Sequence, residues 1–340
     1  MHPVAARRRW SRGRWFWVLS GVVTIVALGI PGVKLIAGPL APLAGPAAQP
    51  TTAVPSRPIT VTQPVTSVSV ESYGAQIRVA AGPVPGARVV TTITYAAPDA
   101  GPPVVTAKVS GGLLTLAAPA CRDSDCSVGF TVTVPAGATV TAASDGGPII
   151  VSGLAGANLD SGGGPVRATG IYGPLTVSTE GGSLIADGIA GPLHADTGGG
   201  QLMARGVTAA TATVITEGGG ADVNFTAAQD AVTVSTGGGA AQIRFTAPPR
   251  SVTVSTDGGP AFLAVPGGPY AVAADSGGGP QVVGIATDPA ASRSLAVTSG
   301  GGPLQIEPAR GSTPARQSSV SSGRVVPPVP PVPVQPASAA

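Results

Sequence analysis

Between Ser144 and Gly302 one short phrase returns nine times: a Ser or Thr, then a run of glycines. The copies open at Ser144, Ser161, Thr179, Thr197, Thr216, Thr236, Thr256, Ser276 and Ser299, with start-to-start spacings of 17, 18, 18, 19, 20, 20, 20 and 23. A nearly fixed period of about 20 residues, filled with short apolar alternations, is the signature of a solenoid. Few other architectures tolerate 50 glycines in 340 residues while keeping 43% hydrophobic residues.

Each unit holds two strands. Before the glycines run GPLTVST (173–179), GPLHADT (191–197), DAVTVST (230–236), RSVTVST (250–256) and YAVAADS (270–276). A period of two puts Leu175, Val177 and Thr179 on one face, and Val232, Val234 and Thr236 likewise. That face is assigned inward, with the closing Ser or Thr stacked as a hydroxyl ladder. After the glycines come PVRATG (165–170), SLIADG (183–188) and QLMARG (201–206). In these Val166 and Ala168, Leu184 and Ala186, and Leu202 and Ala204 face inward. The glycines are read as corners, needed for sharp reversal, often with positive φ, against a neighbouring coil that leaves no room for a Cβ.

The residue after the Ser or Thr alternates: Asp145, Gly162, Glu180, Gly198, Glu217, Gly237, Asp257, Gly277. Acidic corners therefore recur in every second copy. Either a full coil contains two units, or successive coils alternate so that like charges do not stack; the first arrangement is expected.

The net charge of +3 conceals an asymmetry. Six of the 19 basic residues (Arg7, Arg8, Arg9, Arg12, Arg14 and Lys34) lie in the first 34 positions, and no acid occurs before Glu71. The remainder carries 13 basic and 16 acidic residues, which gives no reason to expect nucleic-acid binding. Trp15 to Val33 holds no charge, and at 1.5 Å per residue it spans roughly 28 Å, the hydrocarbon thickness of a bilayer. With arginines before it and Trp15, Phe16 and Trp17 at one end, residues 15–37 are read as a transmembrane anchor and 1–14 as a cytoplasmic tail. A cleaved secretion signal ending near Gly45-Pro46-Ala47 is the rival, and both readings export the rest. Residues 38–64 read as a Pro-rich spacer, 65–143 as an N-terminal β region, 144–307 as the repeats, and 308–340 as a disordered Pro-rich tail.

The chemistry-bearing residues are sparse. Phosphate loops place glycines between a strand and a helix with Lys at a set offset, which nine strand-flanked copies do not. Calcium-binding β-rolls put an acid after the glycines, whereas Asp145, Glu180, Glu217 and Asp257 come before them, so solvated corner charges are expected and no metal or cofactor. Asp160, Asp196 and Asp275 add carboxylates at the other corners. His194 sits two residues from Asp196 on an outward face, without the elbow of a serine nucleophile. The outward positions Arg167, Ile185, Met203, Asn224, Arg244 and Val283 form no consistent stripe. Cys121 and Cys126 in CRDSDC are read as a local disulfide, since an exported chain meets an oxidising compartment and two cysteines are too few for structural zinc. Asn224-Phe225-Thr226 is formally a glycosylation sequon.

From Cys126 the order of a Cys-bearing strand, VPAG at Val134 to Gly137, and repeated strand–glycine–strand units resembles the bacterial "putative adhesin" family of β-strand repeat domains (DUF4097). The likeness covers about Val65 to Ile306. It departs where that family has Asp after the glycines: this chain has Pro148, Pro165, Ser183, Gln201 and Ala221. The resemblance implies a β-solenoid at the cell envelope and brings no catalytic residues. The expectation is an all-β solenoid of 18–20-residue Gly-rich repeats with an N-terminal β cap, preceded by one transmembrane helix. It would be a non-catalytic surface or scaffold protein, N-terminus cytoplasmic and C-terminal domain extracellular, binding envelope glycan or protein partners. The alternatives are a solenoid polysaccharide hydrolase or lyase, and an envelope-sensing signalling module.

Overall fold

A computed structural model of the chain describes residues 51–54, 58–96, 103–118 and 126–309. The stretches read as cytoplasmic tail and transmembrane anchor lie outside the described residues, as does the C-terminal tail from 310 onward, whereas Pro308, read as the start of that tail, closes the last strand. Among the described residues no helix is long and apolar enough to cross a membrane.

The described chain is all-β, wound as two long sheets of 14 and 12 strands. One coil is one strand in each sheet. The second sheet takes β9 (Thr139–Ser144), β11 (Gly156–Ser161), β13 (Leu175–Thr179), β15 (Leu193–Thr197), β17 (Thr211–Thr216), β19 (Ala231–Thr236) and β21 (Ser251–Thr256). The first sheet alternates with it through β10 (Ile149–Ser152), β12 (Val166–Ile171), β14 (Leu184–Ile189), β16 (Leu202–Val207), β18 (Ala221–Phe225), β20 (Ala241–Phe245) and β22 (Ala261–Val265). All of these pair in parallel, each with its equivalent one coil away.

The register overturns the expectation of two units per coil. Leu175 lies beside Leu193, and Leu193 beside Ala212, so one glycine unit makes one full coil. The alternation of acids is an alternation of successive coils. Its cause is steric: a Cβ on Gly198 would sit 2.3 Å from the carbonyl oxygen of Glu180, and one on Gly162 2.5 Å from that of Asp145. Skipping a coil also leaves the acids about 10 Å apart on strand spacing, near the Debye length of physiological salt.

The expected inward faces are the core. Leu175, Val177, Leu184, Ala186, Val232 and Val234 are buried, as are their equivalents along the axis. Each buried Val or Leu contributes about 1.5–3 kcal/mol. Val283 departs from the expectation: it pairs with Ile306 and packs against the core rather than facing out.

Neither end of the stack follows chain order. Outside β9 and β10 lie β3 (Ser67–Ser72) and β4 (Ile77–Ala81), and beyond them β7 (Leu113–Ala117) and β8 (Cys126–Val134). The last coil is then closed by antiparallel strands: β5 (Ala87–Ala96) against β8, and β6 (Thr106–Ser110) against β7 through the positive-φ pair Gly111-Gly112. Two short strands, β1 (Thr51–Val54) and β2 (Ile59–Val61), pair with β5, so the stretch read as spacer contributes to this cap.

At the other end β25 (Ser294–Thr298) and β26 (Leu304–Pro308) insert between β21/β22 and the outermost coil, β23 (Ala271–Asp275) and β24 (Gln281–Val283). Here Val252 pairs with Leu295, 43 residues on. No antiparallel strand covers β23 and β24 among the described residues. Val272 and Val283 stay partly exposed and, with Leu295, line a cavity of about 600 Å³.

Candidate functional site

Two edges join the sheets. At the first, each closing Ser or Thr is buried, and its hydroxyl donates to the carbonyl of the glycine three residues on: Thr179 to Gly182 at 2.6 Å, Thr197 to Gly200 at 2.9 Å, Thr236 to Gly239 at 2.7 Å. Eight of the nine copies make this bond; at Ser144 the amide of Gly147 donates to the hydroxyl instead. The expected hydroxyl ladder exists as a stack, with Thr179 beside Thr197 and Thr197 beside Thr216, but its principal bonds close each corner rather than run along the axis.

The glycines stack just as closely. A Cβ on Gly200 would lie 2.0 Å from the Gly182 oxygen, and one on Gly182 2.0 Å from the Gly164 oxygen. Close approach, rather than backbone sign, is what demands glycine through most of this edge. Positive φ appears here only towards the two ends of the stack, at Gly74 in the β3–β4 corner and at Gly258, Gly277, Gly278, Gly300 and Gly301.

Asp145, Glu180, Glu217 and Asp257 stand exposed on this edge, each flanked along the axis by a glycine coil. Among the described residues no three His, Cys, Asp or Glu side chains come together as a metal site. Cys126 opens β8 and is not a free thiol. Cys121 lies outside the described residues, so the Cys121–Cys126 bridge stays a proposal.

The outer faces of the two sheets differ. On the second sheet the register aligns Thr141, Asn158, Thr176, His194, Thr213, Thr233 and Thr253 in one outward column. Beside it Asp160, Ser178, Asp196, Ile215, Ser235 and Ser255 form another. The grid repeats at about 4.8 Å between coils and roughly 6.7 Å along the strand. It is a hydroxyl-rich surface. His194 and Asp196 lie in its two columns. Asp160 and Asp196 share one, with Ser178 between them, about 10 Å apart on strand spacing.

On the first sheet the outward column runs Arg78, Ile150, Arg167, Ile185, Met203, Asp222, Gln242, Phe262, mixing charge and apolar bulk. Arg244 pairs with Asp222 at 2.7 Å and Arg167 with Asp187 at 3.5 Å, the arginines exposed and the aspartates half-buried. The outward positions singled out in the sequence belong to this face, apart from Val283. The hydroxyl columns were present in LTVST, AVTVST and SVTVST as the phase opposite to the apolar one.

No known family profile matches the chain, and no curated protein does. Among solved structures the chain is similar to a "putative adhesin" of Bacteroides fragilis, at 12% identity and a TM-score of 0.43 over 62% of this chain and 97% of that one. It is similar to a "putative cell adhesion protein" of Clostridium sporogenes, at 10% identity and a TM-score of 0.22 over 75% and 99%. A third, a "putative adhesin" of Parabacteroides merdae, shares 11% identity with a TM-score of 0.38 over 78% and 98%. Likenesses this distant carry no functional argument.

Proposed function

We propose that the chain is an exported, membrane-anchored β-solenoid of the adhesin-like type that works without catalysis, holding envelope glycan against the hydroxyl face of its second sheet. One observation carries this reading: Thr and Ser fill most places of two outward columns that run from coil to coil on a parallel strand lattice. A single neutral hydrogen bond contributes only about 0.5–1.5 kcal/mol net, so one such contact holds nothing. A ligand that itself repeats engages many at once, and linked contacts multiply. Polysaccharide, with hydroxyls along its length, suits such a grid better than a compact metabolite does.

A hydrolase or lyase needs converging carboxylates around a bound sugar. Asp160, between Ala143 and Ser178, and Asp196, between Ser178 and Ile215, stand on an open sheet face without walls to exclude water from a reaction. The test is co-sedimentation of the full chain, held in nanodiscs, with insoluble envelope glycan. Saturable retention is expected, lost in a Thr176→Lys/Thr213→Lys/Thr233→Lys variant that melts like the parent. Equal retention of that variant would remove the hydroxyl face from the account, and release of soluble sugar would replace it with an enzyme.

A further inference from the structure

The second edge, where the chain passes from the first sheet back to the second, holds a cleft of about 260 Å³ lined by Gln229, Asp230, Arg250 and Arg293. Gln229 is 2% exposed, and neither its amide nitrogen nor its amide oxygen has a hydrogen-bond partner. Among the described residues it is the only buried side chain left in this state. A buried primary amide with both donor and acceptor unmet is costly, and a fold that keeps one needs a reason for it.

The neighbours supply charge. Arg250 and Arg293 occupy the same position in adjacent coils, because Ser294 pairs with Ser251 and its amide donates to the Arg250 carbonyl. Only the out-of-order coil makes them adjacent; in chain order the residue above Arg250 would be Tyr270. Arg250 is partly answered by Asp230, whose carboxylate lies 3.7 Å away, while Arg293 makes no ion pair with a described residue.

We propose that this cleft binds a small acid that carries both a carboxylate and a secondary amide, the chemistry shared by N-acylated amino acids and N-acylated sugar acids. The carboxylate pairs with the Arg293 guanidinium, whose planar donors fit its two oxygens. The Gln229 amide, turning about its soft terminal torsion, offers an N–H to the ligand's carbonyl and a carbonyl to its N–H. Asp230 offsets one arginine, so the cleft suits a monoanion rather than a phosphate dianion. The site is on a different edge from the glycines and stands or falls apart from the hydroxyl face.

The experiment titrates the full chain, in detergent, with N-acetylglycine, N-acetylneuraminic acid, acetate and N-methylacetamide, read by calorimetry. At least one acylated acid is expected to bind about tenfold or more tighter than acetate. Gln229→Leu should erase that preference while melting no lower than the parent, since it removes two unpaired buried atoms. Arg293→Ala should remove binding of the acid altogether. The acylated acid that binds tells sugar acid from amino acid as the source; binding of both supports the shared chemistry. No binding at about 10 mM, or no advantage over acetate, overturns the proposal. So does an unchanged preference in Gln229→Leu, which would mark a plain anion site.

Discussion

The two edges of the solenoid part company along the axis. The Ser/Thr–Gly edge is closed by backbone: hydroxyls bond to carbonyls in their own corner, and successive glycines approach too closely for any side chain. The opposite edge changes along the axis: a Cβ on Gly173 would meet the Ala155 oxygen at 2.0 Å and one on Gly191 the Gly173 backbone at 2.1 Å, and only the later corners are closed by side chains. Gly170, Gly188 and Gly206, with φ of 62°, 66° and 61°, make a stacked bulge that turns Ile171, Ile189 and Val207 inward. At β18 the bulge is dropped, and Phe225 stacks on Phe245 with ring centroids 4.9 Å apart. Beyond that point the corners carry Gln229, Asp230, Arg250 and Arg293. An edge made of touching backbones can only repeat. An edge spaced by side chains is free to vary, and that is where specific chemistry collects.

The sharpest way to break this contrast is to add a side chain to each edge. Gly200→Val drives atoms into the Gly182 backbone and is expected to prevent folding, a loss above about 4 kcal/mol. Ala210→Val, at an exposed position on the other edge, is expected to stay within about 0.5 kcal/mol of the parent in urea melts. Comparable losses at both sites would show that the edges are equally tight.

Phe245→Ala removes the stack that replaces the bulge and should cost about 3–5 kcal/mol, with Phe245→Leu recovering most of it. A small effect would mean that backbone holds the second edge too. Thr179→Val leaves the buried Gly182 carbonyl without its hydroxyl and should cost about 1–3 kcal/mol in the same melts. The smallest change is Arg250→Ala. Its pair with Asp230 is 76% and 70% exposed, so stability should move by less than about 1 kcal/mol while acid binding in the cleft weakens. A larger destabilisation would turn the cleft into a structural element.

The glycine edge was legible because its geometry forces repetition: nine Ser/Thr–Gly corners and an inward phase of two suffice to place Leu175, Val177 and Thr179. The coil length was misread because Asp145, Gly162, Glu180 and Gly198 alternate as a doubled period would. The real cause, a glycine seated over the preceding coil's carbonyl, is visible only once coils are stacked. Chain order at the ends was not legible either. Strands with the same apolar alternation pair equally well with any equivalent, so nothing in SLAVT or LQIEP says that they insert ahead of YAVAADS. The Gln229 cleft depends on that insertion, since Arg250 and Arg293 are 43 residues apart. The hydroxyl face is legible in TVS only as the phase opposite to the apolar one.

In this solenoid one glycine unit is one coil. Deleting residues 180–197 joins Thr179 to Gly198 and removes one 18-residue unit, the offset that separates Leu175 from Leu193. Thermal unfolding of this variant, followed by circular dichroism, is the most direct measurement. A β-rich spectrum and a single cooperative transition are predicted, because β13 then leads into β16 and β16 stacks on β12 with every inward face in place. A deletion that unfolds or aggregates, while removal of two units folds, would contradict the account and restore a coil of two units.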